Sequence, residues 1–149
     1  MLALAFRAGA SPLAVAVRHV VEVLPRMPLR PPTLAPAAVV GLLPYRGTLT
    51  PVVDLCQIAA GRPAARELGT RIILIEVGEA GQRRLLGLLA EDVGELVQMQ
   101  STVAGLRLSE APWLGEHIGE HPDLPQLVEP AEILPDALMR LFVPEDSEP

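Results

Sequence analysis

The sequence predicts an all-β fold in which eight or nine short strands form a barrel or sandwich. Three observations carry that prediction. Apolar residues come in short runs rather than at helical spacing. Gly and Pro, 12 and 16 of the 149 residues, punctuate those runs closely. Two runs, 71–77 and 84–90, are apolar at consecutive positions, as in strands covered on both faces.

Length and composition bound the architecture. A chain of 149 residues makes one domain or two closely packed subdomains. It can bury about 70% of its unfolded surface. Half of the residues are hydrophobic but only 3% are aromatic, so the core must be built from Leu, Val, Ile and Ala.

In chain order, Leu2 to Arg7 reads as a strand, Gly9 to Pro12 as a turn and Leu13 to Val17 as the hairpin partner. Val20 to Leu24 is a third strand. Pro25, Pro28, Pro31, Pro32 and Pro36 then rule out helix or central strand, leaving an extended connection that ends in a turn at Ala35 to Ala38. Val39 to Leu55 reads as a hairpin. A three-residue loop, Arg46-Gly47-Thr48, pairs Tyr45 with Leu49, Leu43 with Pro51 and Gly41 with Val53. That register collects Val39, Leu43, Tyr45, Leu49, Val53 and Leu55 on one face, with Arg46, Thr48, Thr50 and Asp54 on the other. A two-residue loop scatters the apolar residues over both faces and is disfavoured. Gly47 supplies positive φ, and Arg46 stands at the tip beside an apolar surface.

Cys56 to Ala60 reads as one helical turn, stopped by Gly61-Arg62-Pro63. Arg71 to Val77 is the clearest strand, and Arg84 to Ala90 returns from the turn after it. Glu91 and Asp92 end that strand as solvated carboxylates, and Val93 to Val97 forms a separate short strand. Gln100 to Gly115 is a long connection carrying the single Trp113. Leu124 to Val128 is the last strand, Pro130 opens a helical turn, and Asp136 to Phe142 forms a short C-terminal helix. The domain is expected to span 1–143, with 144–149 an acidic flexible tail.

Charge and reactive residues exclude several function classes. The formal charge of −6 argues against nucleic acid and anionic membrane as partners. All 12 basic residues are Arg, so Schiff-base chemistry and the phosphate-loop lysine are absent. The lone Cys56 forbids an internal disulfide and fits a reducing compartment; directly after an apolar strand, it reads as a buried small residue. His117 and His121 stand four apart beside Glu116 and Glu120. Gly115, Gly119 and Pro122 deny them helical spacing, so a solvated loop is the better reading than a metal site. His19 has no nucleophile near it. Nothing assembles a base, a nucleophile and an oxyanion donor, so neither an enzyme nor a cofactor is expected. The apolar start is interrupted by Arg7 and lacks a preceding basic region, and no uncharged run approaches the roughly 20 residues that span a bilayer. The residues themselves point to a cytoplasmic, β-rich binding module.

The Val39–Leu55 hairpin also carries a family resemblance. Tyr45-Arg46-Gly47, three variable residues, then Pro51-Val52-Val53-Asp54-Leu55 resembles the core of the CheW-like coupling domains of bacterial chemosensory arrays, except that Tyr45 stands where Leu is usual. Val20-Val21-Glu22-Val23 and the run Glu91 to Leu96 are similar to two further family signatures, and the likeness extends over about residues 2 to 135. The resemblance implies two small SH3-like β-barrel subdomains packed on a shared apolar core. It implies a non-catalytic adaptor between a chemoreceptor's cytoplasmic tip and the regulatory domain of a CheA-type histidine kinase. The protein would be cytoplasmic, recruited to membrane receptor arrays, and weakly self-associating there. Val20, Glu22, Gly41, Arg46, Gly47 and Val93 fall on the family's partner-binding positions. The segments Ala111 to Gly115 and Leu134 to Leu138 look more like coupling proteins of Wsp-type surface-sensing pathways, whose output is a diguanylate cyclase. The competing class is a small-ligand or metal-binding β-barrel using His117 and His121.

Overall fold

Fifteen residues of a single strand, Arg84–Gln98, belong to both halves of this molecule. The computed structural model describes residues 1–33, 38–78, 83–98, 102–103, 111–119 and 123–133. Ten strands run through them: β1 Leu2–Ala8, β2 Ser11–Ala16, β3 Val20–Pro25, β4 Val39–Tyr45, β5 Thr48–Asp54, β6 Arg71–Val77, β7 Arg84–Gln98, β8 Thr102–Val103, β9 Leu114–Ile118 and β10 Gln126–Val128. One helix, α1 Leu55–Ala60, follows β5, and single 3-10 turns occupy Val17–His19 and Pro130–Glu132.

The first half of β7 lies between β6 (antiparallel) and β5 (parallel). Adding β3 beside β6 and β4 beside β5 gives the order β3-β6-β7-β5-β4. Arg30 exchanges two backbone hydrogen bonds with Leu42, at 2.9 and 2.8 Å, so the chain leaving β3 returns onto β4. The second half of β7 pairs with β1, and the order continues β1-β2-β10-β9-β8. These are two SH3-like barrels sharing one strand. The strand turns from one barrel to the other through positive φ at Asp92 (49°) and Gly94 (146°). There the pairing with β1 shifts register between Ala5 and Arg7. Residues 84–90 and 93–97, expected as separate strands, are therefore one bent strand. The carboxylates between them looked like a turn signal because a bulge uses the same residue types as a turn.

One apolar cluster runs through both barrels, joining Leu4, Phe6, Leu13 and Val15 to Val52, Val53, Leu55, Ile72–Ile75, Leu86 and Leu88. All four residues Ile72, Ile73, Leu74 and Ile75 have zero exposure, which confirms that β6 is covered on both faces.

The hairpin register departs from expectation. Tyr45 pairs with Thr48, Leu43 with Thr50 and Gly41 with Val52, so the loop is the two residues Arg46 and Gly47. Both have positive φ (47° and 82°), the pattern of a type I′ turn whose twist matches the flanking strands. The scattering of apolar residues carries no penalty here. Residues Thr50 to Asp54 are buried without alternation, because β5 sits between β4 and β7 with the shared core beneath it. Leu49, placed on the inner face by the expected register, is 43% exposed instead.

Glu116 and His117 lie on β9 rather than in a loop, both exposed, while His121 lies outside the described residues. The expected turn at 35–38 falls largely outside them, as do the helix at 136–142 and the tail.

Candidate functional site

Three side chains meet at the turn end of the β4–β5 hairpin. Tyr45 ends β4 and is half-buried. Its hydroxyl donates a 2.6 Å hydrogen bond to Glu22 Oε1 on β3, linking strands that have no other strand-to-strand pairing. The Arg46 guanidinium lies over the ring of Tyr45, 5.1 Å from its centroid. Glu22 reaches this position because the β3–β6 register shifts between Val20 and Glu22, leaving Val21 exposed and unpaired. The hydrogen bond to the Glu22 carboxylate raises the Tyr45 pKa above its ordinary value; burial adds to this and the Arg46 charge opposes it. Arg46 is exposed and makes no hydrogen bond or ion pair within the described residues. On the outer face beside it, Pro44 and Leu49 pair across the strands, both exposed. The tip is thus a held cation flanked by a small apolar patch.

The other expected positions do different things. Gly47 completes the turn, and a Cβ there would meet nothing within 4 Å, so only its φ of 82° demands glycine. Gly41 is buried, and a Cβ would lie 2.4 Å from Leu29 Cβ and 3.1 Å from the Arg30 carbonyl oxygen. It lets the 27–30 segment close onto β4 and offers no surface. Gly41→Ala is expected to lower stability by about 1–3 kcal/mol, the cost of forcing a side chain into packed space, measured by denaturant titration. Val20 opens β3 opposite Ile75 and packs on the core edge.

Val93 is 7% exposed at the bend of β7, with its N–H donating to the Gly69 carbonyl at 2.9 Å. It is not near the hairpin tip. Val52 lies opposite Gly87 in the parallel β5–β7 pair, which puts Thr48 level with Arg83, ten residues before Val93. At ~3.3 Å per residue, roughly 30 Å of strand separates them. The structure brings together Glu22, Arg46 and Gly47, joined by the missed Tyr45, and leaves Val93 at the far end.

Below the hairpin two carboxylates fasten one loop. Asp54 caps α1, with Oδ1 accepting from the Cys56 and Gln57 N–H groups at 2.9 and 3.2 Å, and Oδ2 accepting from Ala64 N–H at 2.9 Å. Glu91 accepts both Arg62 guanidinium nitrogens at 3.1 Å, Ala65 N–H at 2.7 Å and Gly9 N–H at 3.3 Å. The solvated pair expected at 91 and 92 is corrected for Glu91, whose side chain is only 12% exposed. Its hydrogen bonds from the Arg62 guanidinium hold its carboxyl down to about 2, despite burial. Sequence had no signal for this bond, since Gly9, Arg62 and Glu91 are far apart along the chain. Asp54→Ala is expected to cost about 1–2 kcal/mol, typical of a lost helix cap, seen as a lower Tm.

Cys56 is fully buried, and burial pushes its thiol up to about 11, so it is unreactive at neutral pH. His117 lines an open cavity of about 400 Å³ with Trp113, Leu114 and Ile58. Among the described residues no three His, Cys, Asp or Glu side chains converge as a metal site. No helix among them is long and apolar enough to cross a membrane.

Comparison with known proteins agrees with this geometry. The CheW-like domain family matches residues 2–112. The crystal structure of scaffolding protein TtCheW from Thermoanaerobacter tengcongensis superimposes with a TM-score of 0.71 at 18% identity, covering 85% of this chain and 82% of that one. Among curated proteins no sequence matches.

Proposed function

This chain belongs to the CheW-like domain family of non-catalytic scaffolds, and on that premise we propose that it couples the cytoplasmic tip of a chemoreceptor to a CheA-type histidine kinase in a chemosensory array. The observation that carries the reading is Arg46: an exposed cation in a strained turn, held by an aromatic ring and unpaired within the described residues. A fold has no need of an arginine there. Left-handed φ costs a non-glycine residue about 1 kcal/mol, and strain of that kind gathers where a side chain must be presented.

The mechanism is assembly. Apolar contact through Pro44 and Leu49 contributes binding energy, while Arg46 and Glu22 set register and partner choice. Val93 itself is buried, but the exposed residues beside it at the β7 bend, Asp92, Glu95 and Leu96, lie about 30 Å of strand away, which gives an adaptor two regions of surface for two partners at once. Weak contacts of this sort, repeated through effective concentration, hold a lattice together. The protein would work in the cytoplasm at membrane-bound arrays and contact neither nucleic acid nor lipid.

The test is a three-component pull-down of the purified chain, a receptor-tip fragment and a kinase regulatory domain from the same genome. A complex containing all three supports coupling. Competition, with each partner displacing the other, removes the adaptor reading, and the absence of both binary complexes removes the partners named.

A further inference from the structure

We propose that Tyr45 determines how this surface presents charge: its hydroxyl engages Glu22 and its ring carries Arg46, so that Arg46 remains available to an acidic side chain of the docking partner. The inference rests on the function proposed above and adds to it a positioning residue and the chemistry of the group received.

The argument starts from two opposite charges beside one tyrosine. Glu22 and Arg46 both contact Tyr45, yet no ion pair joins them. Because both charges contact the same tyrosine, the Arg46 guanidinium is a neighbouring donor fork for the Glu22 carboxylate once the phenol is gone. An Arg–carboxylate pair would form within the chain and withdraw the cation from docking. The phenolic hydroxyl satisfies Glu22 at 2.6 Å and removes that competition. The ring face attracts the guanidinium without using its N–H donors, because the attraction is to the π-cloud. A guanidinium held by a ring face rather than by an acceptor keeps its N–H donors for a bidentate carboxylate. Aliphatic Leu at position 45 would provide neither effect.

Tyr45 is the only tyrosine in the chain, so its ionisation is read directly from tyrosinate absorbance. The fold is checked in parallel by the fluorescence of the single Trp113. Wild type is expected to ionise above the ordinary value near 10. Glu22→Gln should bring the transition down toward that value, because the carboxylate that disfavours the phenolate is gone. Arg46→Ala should move it further up, because a cation that favours the phenolate is gone. A wild-type transition at the ordinary value that neither substitution shifts would overturn the proposal.

The docking arm uses the receptor-tip fragment. Tyr45→Phe keeps the ring and frees Glu22, so binding should weaken about three- to tenfold, by roughly 0.6–1.4 kcal/mol. The double variant Tyr45→Phe with Glu22→Gln should bind more tightly than Tyr45→Phe alone, since no internal carboxylate then competes for Arg46. A merely structural tyrosine would show no such rescue. If wild type binds and Tyr45→Phe binds equally well, this proposal fails while the adaptor reading stands. If wild type binds no receptor tip, the adaptor reading fails, and the docking role of Tyr45 fails with it.

Discussion

Arg46→Glu is expected to lose receptor or kinase binding by roughly thirtyfold or more, the 2 kcal/mol threshold of an interface hot spot, with no loss of fold. The side chain is exposed, and among the described residues its one polar or ring contact is with Tyr45. Removing it therefore costs at most one exposed cation–π contact, about 0.5–1 kcal/mol. Reversal to Glu also sets a carboxylate near Glu22 and repels the acidic partner group. The informative control is Arg46→Asn. Asn-Gly is the preferred pair for a type I′ turn, so this variant relieves the positive φ at position 46 while deleting the cation. Its Tm should equal or exceed that of wild type while its binding falls with that of Arg46→Glu. A variant that is more stable and less functional separates the two demands on this turn. Isothermal titration with the same fragments, beside thermal unfolding, measures both. Equal binding by wild type and Arg46→Asn would dismiss Arg46 as a contact residue. Wild-type binding should also weaken as salt rises, because an exposed cation is screened within about 10 Å at 0.1 M.

Glu91→Gln should be destabilising at neutral pH by about 2 kcal/mol, which lowers the Tm of a domain this size by about 4–8 °C. Its carboxylate joins three pieces of chain: the β1–β2 turn at Gly9, the loop at Arg62 and Ala65, and β7 itself. The folded-state pKa of about 2 lies below the ordinary carboxyl value of 4.5. A depressed pKa stabilises the fold above the unfolded value and loses that contribution as pH falls through the folded one. That lowering corresponds to about 3 kcal/mol, which the half-exposed Arg62 reduces through solvent screening. Between pH 4.5 and 2 the wild type should thus lose stability that Glu91→Gln never had, and the two curves should converge. Parallel curves across that window would mean that the Arg62 pair contributes nothing. Because Gly9 sits in one barrel and the Arg62 loop leads into the other, the variant should also loosen the contact between them.

The sequence was most legible where local chemistry and tertiary context agree. Ile72 to Ile75 is apolar without alternation and is a strand segment covered on both faces. Cys56, following an apolar strand, is buried and inert. It was least legible at the hairpin, where face-sorting favoured a three-residue loop. That reasoning assumes one wet face, and from Thr50 onward β5 has none: Pro51, Val52 and Val53 are all buried beside β7. With both faces covered, register is decided by the turn, and a two-residue turn with positive φ at both positions twists correctly.

The site divides in the same way. Arg46 and Gly47 at a hairpin tip could be placed from their neighbours in the chain, and so could Glu22 on an exposed strand. Tyr45 was recognised only as an unusual neighbour of Arg46, because its hydrogen bond reaches 23 residues back, to a strand brought close by barrel closure. Glu91 shows the contrast most clearly. In sequence it is an acidic pair at the end of an apolar run, a pattern that surface turns produce constantly. Its partners Gly9 and Arg62 lie 82 and 29 residues away. By itself the sequence determined the all-β class, the strand-rich core and the exposed arginine turn, because periodicity and turn chemistry act over a few residues. The tertiary structure alone decided the two-sided burial of β5, the shared strand and the Glu91 clamp. Those depend on which distant segments meet, and a hydrogen bond is selected by proximity in space rather than along the chain.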